Sequence, residues 1–252
     1  DKDSVDIVEI RSVFNRFYFE RDADEWRIKN PVETNGDKST IDGMINTLTN
    51  MNMDRSFSIK EGEQKDYGLV GRSYLVVFQL KNGQRDSVRI GDNTPVGSNV
   101  FASKGDTTVY TVPVSIKNAV TKKLFDWRDK SLAKVKQSEV NEFKLKNSHG
   151  LFHFVKDGSE WNIIKPREVR AEKSTVESVL RKFENGKAKS VVSETMDNPG
   201  TYQLSRPAFE VDFYLGEAKA YKNVILSKLE DKVSHVKDDS RPQVMTVDSL
   251  FI

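Results

Sequence analysis

The sequence predicts an α+β protein built from two tandem copies of one domain, each a mainly antiparallel β-sheet covered by a single helix. Three observations carry that prediction. Displacing the chain by 135 positions lays Trp26, Ile28 and Pro31 on Trp161, Ile163 and Pro166, Phe17 on Phe152, Phe19 on Phe154, and Tyr67 on Tyr202. Each copy holds one stretch with apolar residues at i, i+3, i+4 and i+7, first Ile41, Met44, Ile45 and Leu48, then Val176, Val179, Leu180 and Phe183. Tyr74, Val76, Phe78 and Leu80 in the first copy, and Phe209, Val211, Phe213 and Leu215 in the second, recur with period two, the spacing of a half-buried strand.

In chain order, Val5 to Ile10 and Phe17 to Phe19 lead into the strand of Trp26 as an opening meander. Val140 to Leu145 and Leu151 to Val155 repeat it before Trp161. The carboxylates just ahead of each Trp strand, Asp22, Asp24 and Glu25, then Asp157 and Glu160, read as β-turns. A helix follows each Pro and turns its apolar stripe to the sheet. Its start reads as a capping box, from Ser39 with Asp42 and Ser174 with Glu177, because a cap hydroxyl and an acidic group three residues on satisfy free N–H groups. Tyr74, Val76, Phe78 and Leu80 alternate as one strand, and Phe209, Val211, Phe213 and Leu215 as its copy. Lys81-Asn82-Gly83-Gln84 joins the first of these to Ser87–Ile90 as a hairpin, since Asn-Gly readily takes positive φ. Short strands at 100–103 and 107–112, copied at 233–236 and 243–247, complete each unit.

A helix over 115–124 is expected to lead out of the first copy, giving a first repeat domain at 1–122, a linker at 123–138 and a second repeat domain at 139–252. The second is expected to be cut short, because the counterpart of Phe125 falls at position 260. The linker is expected to be partly helical; Phe125 and Trp127 stand two apart, so a helix splays them and an extended segment puts them on one side, and Trp127 is expected to anchor the linker against the domains.

Composition narrows the function classes. With 252 residues, 37% of them hydrophobic and 31% charged, the chain is an ordinary globular one with enough length for two cores. Forty basic residues against 38 acidic ones leave no polycationic footprint, and acidic residues interrupt the basic ones at 123–136, so nucleic acid is not an expected partner. The absence of cysteine removes thiolate metal sites and disulfides. No stretch approaches the roughly 20 apolar residues of a bilayer span.

The order Trp-x-Ile-x-x-Pro, a capped helix, Tyr67-Gly68-Leu69, an alternating strand, Ile90-Gly-Asp-Asn-Thr-Pro95, Val109-Tyr-x-Val and Trp127-Arg-Asp-Lys130 resembles the bacterial domain-of-unknown-function family 4340 over nearly the whole chain. The second copy departs from that pattern, with Tyr202-Gln203-Leu204 and Leu226-Ser-Lys-Leu-Glu-Asp231 in the corresponding places. The resemblance implies an extracytoplasmic protein of the periplasm or cell surface, tethered to the inner membrane by an anchor upstream of Asp1. It also implies membrane transporter components of the gliding-motility ABC type, or other envelope proteins, as partners, with no enzymatic activity attached.

The residues themselves assign no catalytic, cofactor or metal site. His149 and His153 are four apart, but they fall on a turn and strand where that spacing does not converge on a metal, and His153 is expected to face solvent. The loop Ile90–Gly97 lacks the Lys-Ser/Thr and the following helix of a phosphate cradle, and reads as a hairpin turn. Asp22-x-Asp24 lacks the glycine and terminal Glu of a calcium loop. Trp26 and Trp161, with Pro31 and Pro166, are structural repeat markers, since aromatic residues at equivalent places favour core packing over ligand stacking. The expected function is therefore a non-enzymatic accessory module acting through protein–protein binding. The alternative is a carrier of a small molecule, lipid or glycan in a groove between the repeats, and an enzyme comes third. Convergent carboxylates with raised pKa in a cleft would favour the third.

Overall fold

The repeat closes twice into a nine-stranded antiparallel sheet, and the two sheets have the same strand order. The computed structural model describes residues 2–105, 107–249 and 251. The chain divides into two compact units, Asp1–Asp129 and Lys130–Ile252.

The first unit contains β1 (Val5–Arg11), β2 (Arg16–Asp22), β3 (Glu25–Asn30), β4 (Thr34–Asn35), α1 (Lys38–Thr49), β5 (Arg55–Ser58), β6 (Tyr74–Leu80), β7 (Arg85–Asn93), β8 (Asn99–Ser103), β9 (Thr108–Pro113), α2 (Val114–Val120) and α3 (Leu124–Trp127). Its sheet runs β4-β3-β2-β1-β6-β7-β8-β9-β5. In the second unit β10 (Val140–Asn147), β11 (Gly150–Asp157), β12 (Glu160–Lys165), β13 (Val169–Ala171), α4 (Lys173–Asn185), β14 (Ser190–Ser193), β15 (Phe209–Leu215), β16 (Ala220–Leu226), β17 (Val233–Asp238) and β18 (Val244–Asp248) follow the same plan. The irregularities are copied too. The β1–β6 and β10–β15 pairings slip at Val5/Ile7 and at Val140/Glu142, and both Pro31 and Pro166 follow cis peptide bonds.

Period-two alternation turns one face of each sheet inward, where it meets the apolar stripe of the helix. Val8, Ile10, Phe19, Trp26, Val76 and Ile90 are buried with Ile41, Met44 and Ile45 of α1 in one core. Phe143, Trp161, Val211 and Phe213 are buried with Val176, Leu180 and Phe183 of α4 in the other.

The helix starts differ from the capping box read in the sequence. Asp37 caps α1, its Oδ1 accepting Thr40 N–H at 2.8 Å, and Glu172 caps α4, accepting Thr175 N–H at 3.2 Å. Both helices begin one residue before Ser39 or Ser174, so those hydroxyls lie within the first turn, and Ser39 donates to the Asp37 carboxylate instead. Asp42 is turned inward, accepting Trp26 Nε1–H at 2.8 Å, while Glu177 pairs along the surface with Lys173 and Arg181.

The exit from the first sheet also differs from the single helix expected over 115–124. α2 stops at Val120, and a separate turn, α3, forms where Asp126 Oδ2 accepts Lys123 N–H at 2.9 Å. Trp127 thus sits in a helical turn of the partly helical linker. It is fully buried in the first core, 5.2 Å from the Phe19 ring and 6.3 Å from Phe17, while Phe125 is half-buried. Residues 123–138 are shared out between the units. Asp129 N–H bonds Asn35 O in the first, whereas Lys130 O accepts Ala188 N–H and Leu132, Ala133 and Val135 enter the second core. Among the described residues no helix is long and apolar enough to cross a membrane.

Candidate functional site

Antiparallel pairing brings three loops of the first unit to one end of its sheet. Arg11 pairs with Leu75, Tyr74 with Ile90, and Asn93 with Val100, so the β1–β2 turn, the segment entering β6 and the β7–β8 turn share that end. Each presents an apolar side chain to solvent: Val13 and Phe14 are 61% and 74% exposed, Val70 is 60% and Val96 is 87%. Single exposed apolar residues are ordinary, but four of them on three turns at one sheet end offer a partner apolar side chains to cover.

These turns are held in place by their own polar groups. Ser12 Oγ accepts the N–H groups of Phe14 and Asn15 at 3.2 and 3.0 Å, and Ser12 N–H bonds Asn15 O at 2.8 Å. Thr94 Oγ1 lies 2.9 Å from Val96 O and 3.1 Å from Asn99 O, either of which accepts its proton. Behind them the Tyr67-Gly68-Leu69 and Ile90-Gly91-Asp92 segments interlock. Gly68 takes the left-handed conformation, and a Cβ there would stand 2.3 Å from Asp92 Cγ. A Cβ on Gly91 would stand 2.3 Å from the Tyr67 carbonyl oxygen, so only glycine permits the approach. Lys117 Nζ then closes the joint by donating to Gly91 O at 2.9 Å. The Tyr67 ring packs edge-on to Phe101 at 5.0 Å and against Phe57 at 5.4 Å.

The corresponding end of the second unit keeps the backbone but not the chemistry. Gln203 stays left-handed at φ 57°, and its Nε2 donates to Glu230 at 2.6 Å. Ser227 replaces Gly91, and His235 replaces Phe101 against the Tyr202 ring at 5.6 Å. Its turns carry Ser148, His149, Ser205, Asp231 and Lys232 alongside Leu229. The sequence reading missed the four apolar tips. Their signal was present, as bulky apolar residues inside otherwise turn-forming runs such as Ser12-Val-Phe-Asn15.

The other candidate residues take up structural positions. Trp26 and Trp161 are both fully buried. His149 lies on the exposed β10–β11 turn, whereas His153, expected to face solvent, is largely covered because its Nε2 pairs with Glu142 Oε1 at 2.7 Å. The Lys219 ammonium, also 2.7 Å from that carboxylate, holds Glu142 below the usual carboxylate range, with His153 adding to the drop and burial opposing it. Asp22, Asp24 and Glu25 lie at the β2–β3 turn, and Asp157 and Glu160 at the β11–β12 turn. Among the described residues no three His, Asp or Glu side chains are grouped to hold a metal.

A buried polar cluster lies at the β17–β18 turn. Burial pushes the Asp239 carboxyl up and the Lys222 and Lys237 ammonium groups down. Its central carboxylate, Asp238, is fully enclosed. It accepts from Ser240 N–H and Oγ at 2.9 Å with Arg241 Nε at 3.4 Å, so its oxygens are committed to holding the turn.

Comparison with known families agrees with the repeat. The family described as Domain of unknown function (DUF4340) matches residues 26–207 and 161–252, its two matches opening on the equivalent Trp26 and Trp161. No curated protein matches the chain. Two overlapping matches that together span most of the sequence show that the chain belongs to the DUF4340 family.

Proposed function

We propose that the chain is a non-enzymatic, extracytoplasmic accessory module of a membrane transporter assembly of the gliding-motility ABC type, working by protein–protein binding. The family resemblance supports the compartment, an anchor upstream of Asp1 and the transporter partner. The observation that carries the binding reading is the set of apolar tips, Val13, Phe14, Val70 and Val96, on braced turns at one end of the first sheet. Rigid turns lose little conformational freedom on docking, and a large exposed aromatic is the residue type that dominates interface energetics.

The test is Phe14→Ser combined with Val96→Ser in the membrane-tethered protein, scored by photo-crosslinking and co-purification with the transporter subunits. Both side chains are exposed, so the melting temperature should stay unchanged. Recovery of the subunits should fall by about tenfold or more, the equivalent of one interface anchor. Undiminished recovery would overturn the reading.

A further inference from the structure

The second unit bears an apolar groove of about 370 Å³ between α4 and its sheet, lined by Leu145, Val179, Phe183, Phe209, Leu226 and Phe251. The repeat states what belongs there. At the same place in the first unit, α2 lies along α1, its Ser115, Asn118 and Ala119 sharing a cleft with Thr40, Gly43, Met44 and Thr47. Ile116 and Val120 of α2 are buried in the core with Ile10, Val76 and Ile90, and Trp127 closes over Phe17 and Phe19. Displacement by 135 positions turns that α1 edge into Thr175, Ser178, Val179 and Lys182, all of which line the groove.

The difference in cover is visible residue by residue. Ile10, Phe17, Phe19 and Met44 are buried, whereas their counterparts Leu145, Phe152, Phe154 and Val179 are only partly so. Phe251 stands at the position of Ile116. Its N–H already turns back to Asp248 O at 3.2 Å, and its ring meets Phe183 edge-on at 5.4 Å.

We propose that this groove is the seat of a segment of the α2–α3 type, running on in register from Phe251. Displaced by 135, the places of Val120 and Trp127 become positions 255 and 262, where the proposed segment must carry apolar side chains. One apolar residue fills the groove beside Phe209 and Leu145, and a large one covers Phe152 and Phe154. This reading rests on the internal repeat and is independent of the transporter reading.

The test appends the sequence of residues 118–129 directly after Ile252, which sets its valine and tryptophan at positions 255 and 262. The extended chain should show the thermal transition of the second unit raised by about 4 °C or more. It should also lose most of the fluorescence of a hydrophobic dye that the 252-residue chain binds. The same extension with aspartate for that valine and alanine for that tryptophan should give neither effect. No rise in melting and undiminished dye binding by the first extension would overturn the proposal. So would a 252-residue chain that light scattering shows to be a dimer made monomeric by Leu145→Asp, since a second copy would then be the occupant. A copurifying lipid that the extension fails to displace would overturn it as well.

Discussion

Asp42 occupies a helix position that solvent usually claims, yet its carboxylate points into the first unit. It accepts Trp26 Nε1–H at 2.8 Å, and the buried Arg21 guanidinium, stacked 4.3 Å from the Trp26 ring centre, approaches the same oxygen at 3.4 Å. The carboxylate, which Lys38 also approaches at 3.5 Å, thus joins two buried groups, and removing it leaves a buried indole N–H without its acceptor and the Arg21 cation held only by the Val5 and Lys2 carbonyls. Asp42→Ala should cost about 3 to 5 kcal/mol. Glu177→Ala, at the equivalent but surface-facing position with ion pairs of 3.8 and 4.0 Å, should stay within about 0.5 kcal/mol. Denaturant unfolding of the two variants checks this, and equal losses would sink the assignment. The sequence made Asp42 legible only as a neighbour of Ser39, three residues away. Its real partner, Trp26, is sixteen residues distant and is reached only once β3 and α1 have packed.

At the scale of elements, apolar spacing located the long strands and both main helices because each buries one face. The edge strands were not legible. β5 is exposed at all four residues and is held by pairing with β9 some fifty residues later and by the Phe57 ring against Tyr67, so no burial pattern marks it. The joint between the Tyr67-Gly68 turn and β7 was half legible, since the two motifs could be read but not their contact. That contact makes opposite predictions for two glycines of the first unit. Gly91→Ala drives a methyl against the Tyr67 carbonyl, a backbone atom with little room to yield, and should cost about 1 to 3 kcal/mol, as overpacking does. Gly43→Ala, inside α1 with nothing within 4 Å of the added methyl, should stabilise by about 0.5 to 1 kcal/mol. Chemical denaturation of both variants decides the matter, and a shift in the same direction for the pair would refute the interlock.

For the whole molecule, the repeat was legible at once because its displacement stays at 135 through most of the chain. The hand-over between copies was hidden by the even charge of 122–136. Within that run the side chains part company: Trp127 belongs to the core around Phe17 and Phe19, and Leu132, Ala133 and Val135 belong to the core around Phe143 and Phe213. Among the described residues the two buried clusters have no member in common, so a cavity made in one removes core contacts from that cluster alone. Trp127 Nε1 has no hydrogen-bond partner among the described residues, which makes packing the whole of its contribution. Trp127→Ala should then destabilise the first unit by about 3 to 5 kcal/mol and leave the second untouched. Each unit retains a buried tryptophan to report on it, Trp26 in the first and Trp161 in the second. Urea titration followed by fluorescence, with Trp26→Phe and Trp161→Phe backgrounds to separate the signals, should show the first transition moving to lower urea while the second keeps its midpoint. A common shift of both midpoints would mean that the two copies unfold as one cooperative body.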